Sequence, residues 1–166
     1  MRIIGGRVKG RRLKTPRGRA LRPTAARVKE AVFDILPRDL SGCRVLDLFA
    51  GTGNLSMEAL SRGAAEALLI DASRSAAKAI RDNLRSLGLA SQATVWTVPV
   101  LRSLRILGRR GRRFELVFVD PPYEKNLLPG VLRTLAQTEL LEESGVIVVE
   151  HSTRESVDQS YGTLIL

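Results

Sequence analysis

From Arg44 onward the chain alternates short apolar runs with longer amphipathic stretches. The runs are Val45 to Leu48, Ala67 to Ile70, Thr94 to Val98, Phe114 to Val119 and Val146 to Val149. Each is short and rich in branched residues, so each predicts a buried strand. Helical patterns lie between them at about Asn54 to Ser61, Ser73 to Leu87, Val100 to Leu107 and Leu127 to Glu139. This alternation predicts an α/β fold, a mostly parallel sheet with helices on both faces. Tyr161 to Leu166 adds a single terminal strand.

The first 40 residues break the rhythm. Arg2 to Arg12 holds short apolar pieces around Gly5-Gly6 and Gly10, and Leu13 to Pro23 is rich in Arg, Pro and Gly, a pattern of a small hairpin and a linker. Thr24 is placed to cap a helix whose apolar positions Val28, Val32 and Ile35 or Leu36 recur at helical spacing before Pro37. Residues 1–40 therefore read as an N-terminal hairpin and helix appendage on a main domain of residues 41–166, the two forming one compact unit.

Composition narrows the function. A chain of 166 residues, 44% hydrophobic, has enough apolar material for a core. Its formal charge of +10 favours a polyanionic partner, nucleic acid first. Cys43 is the sole cysteine, which excludes a disulfide or a cysteine-based zinc site, and no metal is expected. His151, the sole histidine, follows a strand with no nucleophile placed beside it, and reads as a partly buried structural residue. The pattern contains neither a membrane-length apolar run nor a secretion signal, so a cytoplasmic protein is expected. A monomer is the simplest expectation, although the pattern fixes no oligomeric state.

Asp47-Leu48-Phe49-Ala50-Gly51-Thr52-Gly53 leaves the first strand of the main domain and enters a helix. Glycines there permit a tight turn at the carboxyl edge of the sheet, where open α/β folds bind ligands. Asp71, ending the second strand, can accept hydrogen bonds from ribose hydroxyls, with Ala72 beside it. A dinucleotide fingerprint is the competing reading. Ser56 stands where that pattern wants a third glycine or alanine, and Asp47 would repel a pyrophosphate but attract an ammonium. The loop therefore favours S-adenosyl-L-methionine, with Asp47, Phe49, Ala50, Gly51, Gly53, Asp71 and Ala72 as candidate cofactor-binding residues. A plain turn with a capping aspartate is the bland alternative.

Asp120-Pro121-Pro122-Tyr123 follows the fourth strand, at the same edge. An exocyclic amino group on a base is a poor nucleophile because its lone pair is delocalised into the ring. The Asp120 carboxylate and the Pro121 carbonyl can each take an amino hydrogen and turn that lone pair outward, so that catalysis is mostly orientation. The Pro121-Pro122 pair fixes the backbone, and Tyr123 offers a face for stacking, worth about 1–3 kcal/mol per base. Asp-Pro-Pro is also an ordinary stop after a strand.

Two basic clusters remain. Nine of the 27 Lys and Arg residues fall between Arg2 and Arg22, ahead of the first acid, Glu30. Arg7, Lys9, Arg11, Arg12, Arg22 and Thr24 are the candidate substrate-binding residues, able to meet phosphates. Arg102, Arg105, Arg109, Arg110, Arg112 and Arg113 lie between the third and fourth strands, where a solvating role and a binding role fit equally.

These residues resemble the bacterial methyltransferases that modify one guanine N2 of 16S ribosomal RNA. The resemblance spans nearly the whole chain, through Arg2-Ile3-Ile4-Gly5-Gly6, Lys9-Gly10-Arg11, Arg22-Pro23-Thr24, Arg27 to Phe33, Val45 to Gly53, Glu58 to Ala64 and Asp120 to Tyr123. The N-terminal words are its specific part. It implies a Rossmann-like methyltransferase sheet of seven strands with the last antiparallel, and as substrate 16S rRNA within an assembled small ribosomal subunit. It further implies that Asp47, Phe49, Gly51, Gly53 and Asp71 hold the donor, that Asp120, Pro121 and Tyr123 hold the flipped base, and that Arg22 and Thr24 lie on the substrate side. The sequence departs from the family at Val98-Pro99-Val100, where many members carry an acid, and in its short tail after Glu150. The motifs alone also permit adenine-N6 methylation of DNA or RNA. A basic RNA-binding or ribosome-assembly factor without catalysis is the reading from another class.

Overall fold

The computed structural model describes residues 1–15, 23–122, 126–152, 155 and 157–165, with residues 23–26 described by their backbone only. The central sheet contains β1 (Arg44–Leu48), β2 (Glu66–Ile70), β3 (Ala93–Trp96), β4 (Phe114–Val119) and β5 (Leu141–Val149). Its order is β3-β2-β1-β4-β5, with every pairing parallel. The connecting helices are α2 (Asn54–Ser61), α3 (Arg74–Leu87), α4 (Val100–Arg109) and α5 (Leu128–Thr138), preceded by α1 (Pro23–Ile35). The expected α/β alternation and Rossmann-like architecture are thus observed. Ser73 caps α3 by accepting from the Ala76 amide at 3.3 Å, and Gly88 ends it in a left-handed turn.

The alternating strand faces divide the core in two. Val45, Ala67, Leu69 and Phe118 pack with α1, α2 and α3, while Leu46, Leu48, Ile70 and Val117 pack with α4 and α5.

The tail differs from expectation. Tyr161 does not open a single strand but ends β6 (Ser160–Tyr161), which pairs antiparallel with β7 (Leu164–Ile165). This pair forms a separate sheet, so the seven-stranded sheet implied by the resemblance is here five strands plus a small hairpin. Tyr161 anchors the hairpin by burying its ring beneath α5 and accepting from the Asp158 amide through its hydroxyl at 3.2 Å.

The N-terminal residues form the expected hairpin, with Arg2 bridging Arg12 and the amide of Ile3 donating to the Arg11 carbonyl. α1 departs from expectation in two ways. It begins at Pro23, so Thr24 lies inside its first turn instead of capping it. Its inward face is Lys29, Phe33 and Leu36, whereas Ile35 is 86% exposed. Lys29 takes a core position because its ammonium donates to three acceptors: the Arg2 carbonyl, Asn54 Oδ1 at 3.1 Å and Glu58 Oε2 at 3.1 Å. Burial holds the Lys29 pKa below its ordinary value, and Glu58 opposes that shift.

Glu58, fully buried on α2, also accepts from the Ile4 amide at 2.8 Å, the Gly5 amide at 2.7 Å and Arg62 Nε at 3.1 Å. One carboxylate thereby ties the hairpin, α1 and α2 together. Gly6 completes the fit, since its φ of 71° is left-handed and a Cβ there would stand 1.8 Å from the Ser61 carbonyl oxygen. Removing one partner of such a buried pair costs about 3–5 kcal/mol, because the other charge stays buried alone. Glu58→Ala is expected to lose stability on that scale in urea unfolding. Gly6→Ala should expose the hairpin to protease while the main sheet stays folded.

Candidate active site

The carboxyl ends of β2, β1 and β4 lie side by side, with Leu48 opposite both Ile70 and Val119. Directly after Leu48 the backbone turns through Phe49 at φ 65°, a left-handed conformation that a bulky side chain adopts at a cost of about 1–3 kcal/mol. Its neighbours hold it there. The Ala50 amide donates to the Ile70 carbonyl at 3.0 Å, the Gly51 amide to Asp71 Oδ2 at 2.9 Å, and the Gly53 amide to the Ala50 carbonyl at 2.7 Å. Gly53 caps α2 at φ 75°, where a Cβ would lie 2.8 Å from Met57 Cε and 3.0 Å from Leu69 Cδ2. The turn is thus packed against the core and tied to the end of β2.

Asp71 is half-buried, and its other oxygen accepts from the Ser73 amide at 2.8 Å, with Ala72 exposed beside it. Asp120 stands exposed at the end of β4, its amide 3.5 Å from the Leu48 carbonyl. Pro121 is buried and Pro122 exposed, while Tyr123 lies outside the described residues. Glu150, at the end of β5, donates its amide to the Val119 carbonyl at 2.9 Å and brings a further acid to this edge.

Asp47 behaves differently from its neighbours. It is 2% exposed and accepts from Ser56 Oγ at 2.7 Å, so Ser56, which interrupts the dinucleotide pattern, is its buried partner. Burial pushes the Asp47 pKa up to about 7, with Asp120 and Asp71 adding repulsion and Ser56 opposing it.

The candidate substrate residues Arg7, Lys9, Arg11 and Arg12 are spread along the hairpin. Its open end lies beside the loop, where Thr52 Oγ1 donates to Met1 Sδ at 3.4 Å and Asn83 Nδ2 donates to both the Thr52 and Lys14 carbonyls. Its tip reaches the far ends of α2 and α3: the Arg7 amide donates to the Ser61 carbonyl, the Arg7 guanidinium to Gln92, and Arg11 to the Ser86 carbonyl at 2.7 Å. Lys9 is exposed at that tip, and Arg12 is exposed nearer the open end. Arg22 lies outside the described residues, and Thr24 enters by its backbone alone. His151 is exposed, not partly buried, because it follows β5, the edge strand of the central sheet, into open surface.

Sequence reading missed Lys29, Glu58 and Asn83. The spacing of Lys29 with Phe33 and Leu36 carries the helical signal for the first, but a charge on an apolar face is read as outward by default. Apart from Arg62 beside Glu58, the side-chain partners of the second and third lie 29 to 69 residues away, beyond any local pattern.

Native Asp47 keeps its proton up to about pH 7, whereas an unfolded aspartate releases it near 4. Folding therefore takes up a proton between these values, and this group's contribution to stability falls as pH rises through that window. Asp47→Asn removes the titration while leaving Ser56 an acceptor. Denaturation at pH 4.5 and 7.5, about the two ends of the window, should show the variant gaining on the parent as pH rises. A difference independent of pH would refute the buried acid.

The model described as "Conserved hypothetical protein 95" matches residues 1–166. YlbH of Bacillus subtilis is 37% identical over 166 residues, covering 100% of this chain and 90% of its own. "Ribosomal RNA small subunit methyltransferase D" of Escherichia coli is 37% identical over 150 residues, covering 90% of this chain and 74% of its own. Among solved structures, yhhF of Escherichia coli superposes with a TM-score of 0.83 at 37% identity, covering 95% of this chain and 85% of its own. With the hairpin, the loop and the parallel sheet all inside the matched span, the chain belongs to this family, which it shares with small subunit methyltransferase D.

Proposed function

We propose that the protein is a cytoplasmic S-adenosyl-L-methionine-dependent methyltransferase acting on the exocyclic N2 amino group of a guanine in 16S rRNA, within an assembled small ribosomal subunit. The observation that carries this reading is the convergence of the 49–53 turn, Asp71 and Asp120-Pro121 on three neighbouring strand ends. The name of the Escherichia coli relative supports methyl transfer to small subunit ribosomal RNA. No helix among the described residues is long and apolar enough to cross a membrane.

The residues present fit the donor. Asp71 keeps lone pairs for ribose hydroxyls beyond the two amide hydrogens it accepts. Asp71 and Asp120 both repel negative charge on Asp47, so a ligand carrying positive charge is favoured there. When bound, S-adenosyl-L-methionine would supply an electrophilic methyl group on a sulfonium, whose sulfur keeps the S–C electron pair and leaves as a neutral thioether. Asp120 and the Pro121 carbonyl accept the two amino hydrogens of the base and aim its nitrogen lone pair at that methyl group. Asp120 then takes the proton that the methylated nitrogen sheds. Tyr123 stacks on the base, and Arg22, Thr24 and the basic hairpin approach the RNA. In this reading residues 1–40 are the appendage that brings RNA to the domain of residues 41–166.

Transfer of labelled methyl to undermethylated small subunits should fall by about 100-fold or more in Asp120→Ala, with donor affinity kept. Undiminished transfer would refute the role of Asp120, and nucleoside analysis of the product separates N2-methylguanine from N6-methyladenine. Asp71→Ala should weaken donor binding by about tenfold or more in calorimetry, the scale of hydrogen bonds to a charged group.

A further inference from the structure

α4 presents a charged stripe that the proposed reaction does not use. Val100, Ser103, Leu104 and Leu107 face the core, and the opposite side of the helix carries Arg102, Arg105 and Arg109, all exposed. Residues 83–114 contain no acid. The remaining arginines of this segment already have partners: Arg85 pairs with Asp82, Arg112 with Glu66 and Arg113 with Glu139, and Arg110 lies over the Trp96 ring at 5.6 Å. Among the described residues, no carboxylate forms an ion pair with Arg102, Arg105 or Arg109.

Stability does not explain the stripe. Like charges three and four residues apart on one helix face repel each other. Arg102 also sits in the first turn, at the helix end where the dipole disfavours a cation. The stripe does begin at the right place, since α4 starts beyond the carboxyl end of β3 and so leads away from the edge that holds Asp71 and Asp120. It runs down the face of the sheet opposite the one that packs α1, α2 and α3. From Arg102 to Arg109 it spans about 10 Å of helix, room for successive phosphates of one strand.

We propose that the outer face of α4, through Arg102, Arg105 and Arg109, is a second phosphate-contact surface for the RNA substrate, on the side of the sheet opposite the N-terminal hairpin. The proposal rests on the reading of the protein as an RNA methyltransferase. A polyanion held at both faces would straddle the carboxyl edge and deliver its base to Asp120 from above.

The test compares the full chain with R102A/R105A/R109A and with R102K/R105K/R109K, using a 20-base-pair RNA hairpin (about two helical turns) and undermethylated small subunits. Binding to the hairpin, followed by fluorescence of Trp96, the sole tryptophan, should show a log–log salt slope shallower by about 2 in the alanine variant. Its KM for subunits should rise about tenfold, with kcat, donor affinity and thermal midpoint retained, the change expected when phosphate contacts are lost. The lysine variant should recover the slope. An alanine variant with unchanged slope and KM, or a lysine variant that fails to recover, would overturn the proposal while leaving the methyltransferase reading intact. Loss of binding to anionic lipid vesicles with RNA binding unchanged would also overturn it. A parent protein that neither binds RNA nor transfers methyl would overturn both.

Discussion

The Glu58 carboxylate is the constraint on which the arrangement of this protein depends. It has no contact with solvent and accepts from two hairpin amides, a lysine of α1 and the arginine that caps its own helix. An unpaired carboxylate in that place would be untenable, so the appendage must dock in one register for the charge to be tolerated. Apolar burial of Ile3, Leu13, Phe33 and Leu36 supplies most of the attraction without direction. The polar cluster supplies the direction, and its Lys29–Asn54 contact reaches the first residue of α2, directly behind the loop.

That geometry decides what the basic appendage can do. The hairpin is neither a flexible arm nor a lid over the strand ends, because its tip is fastened at Ser61 and Gln92, remote from Asp120. Only its open end, near Met1 and Lys14, comes close to the loop. The positive charge of the described hairpin is therefore displayed on a fixed surface, suited to a large rigid polyanion more than to a short flexible one.

Much of the fold was legible in the sequence because the sheet is parallel. Strands buried on both faces must be continuous apolar runs, and Phe114–Val119 has the bounds its pattern predicts. The loop and the acids at the strand ends were legible for the same reason, since topology alone brings positions 49–53, 71 and 120 to one edge. Three features were not legible. The inward turn of Lys29 depends on partners distant in sequence. The last six residues carry too weak an alternation to reveal a reversal at Gly162, whose φ of 61° makes the turn. The hydrogen bond that buried Asp47 takes from Ser56 is the third, since the sequence reads Ser56 only as a break in the dinucleotide pattern.

Phe49 carries a wider consequence. A left-handed phenylalanine is conformational energy already spent by the fold, so a ligand arriving at the loop meets a rigid receptor and pays little ordering entropy. Affinity at this edge is then borrowed from global stability. Drift that loosens the core erodes ligand affinity before the chain unfolds, and relaxing Phe49 would make a hardier protein with a more plastic receptor.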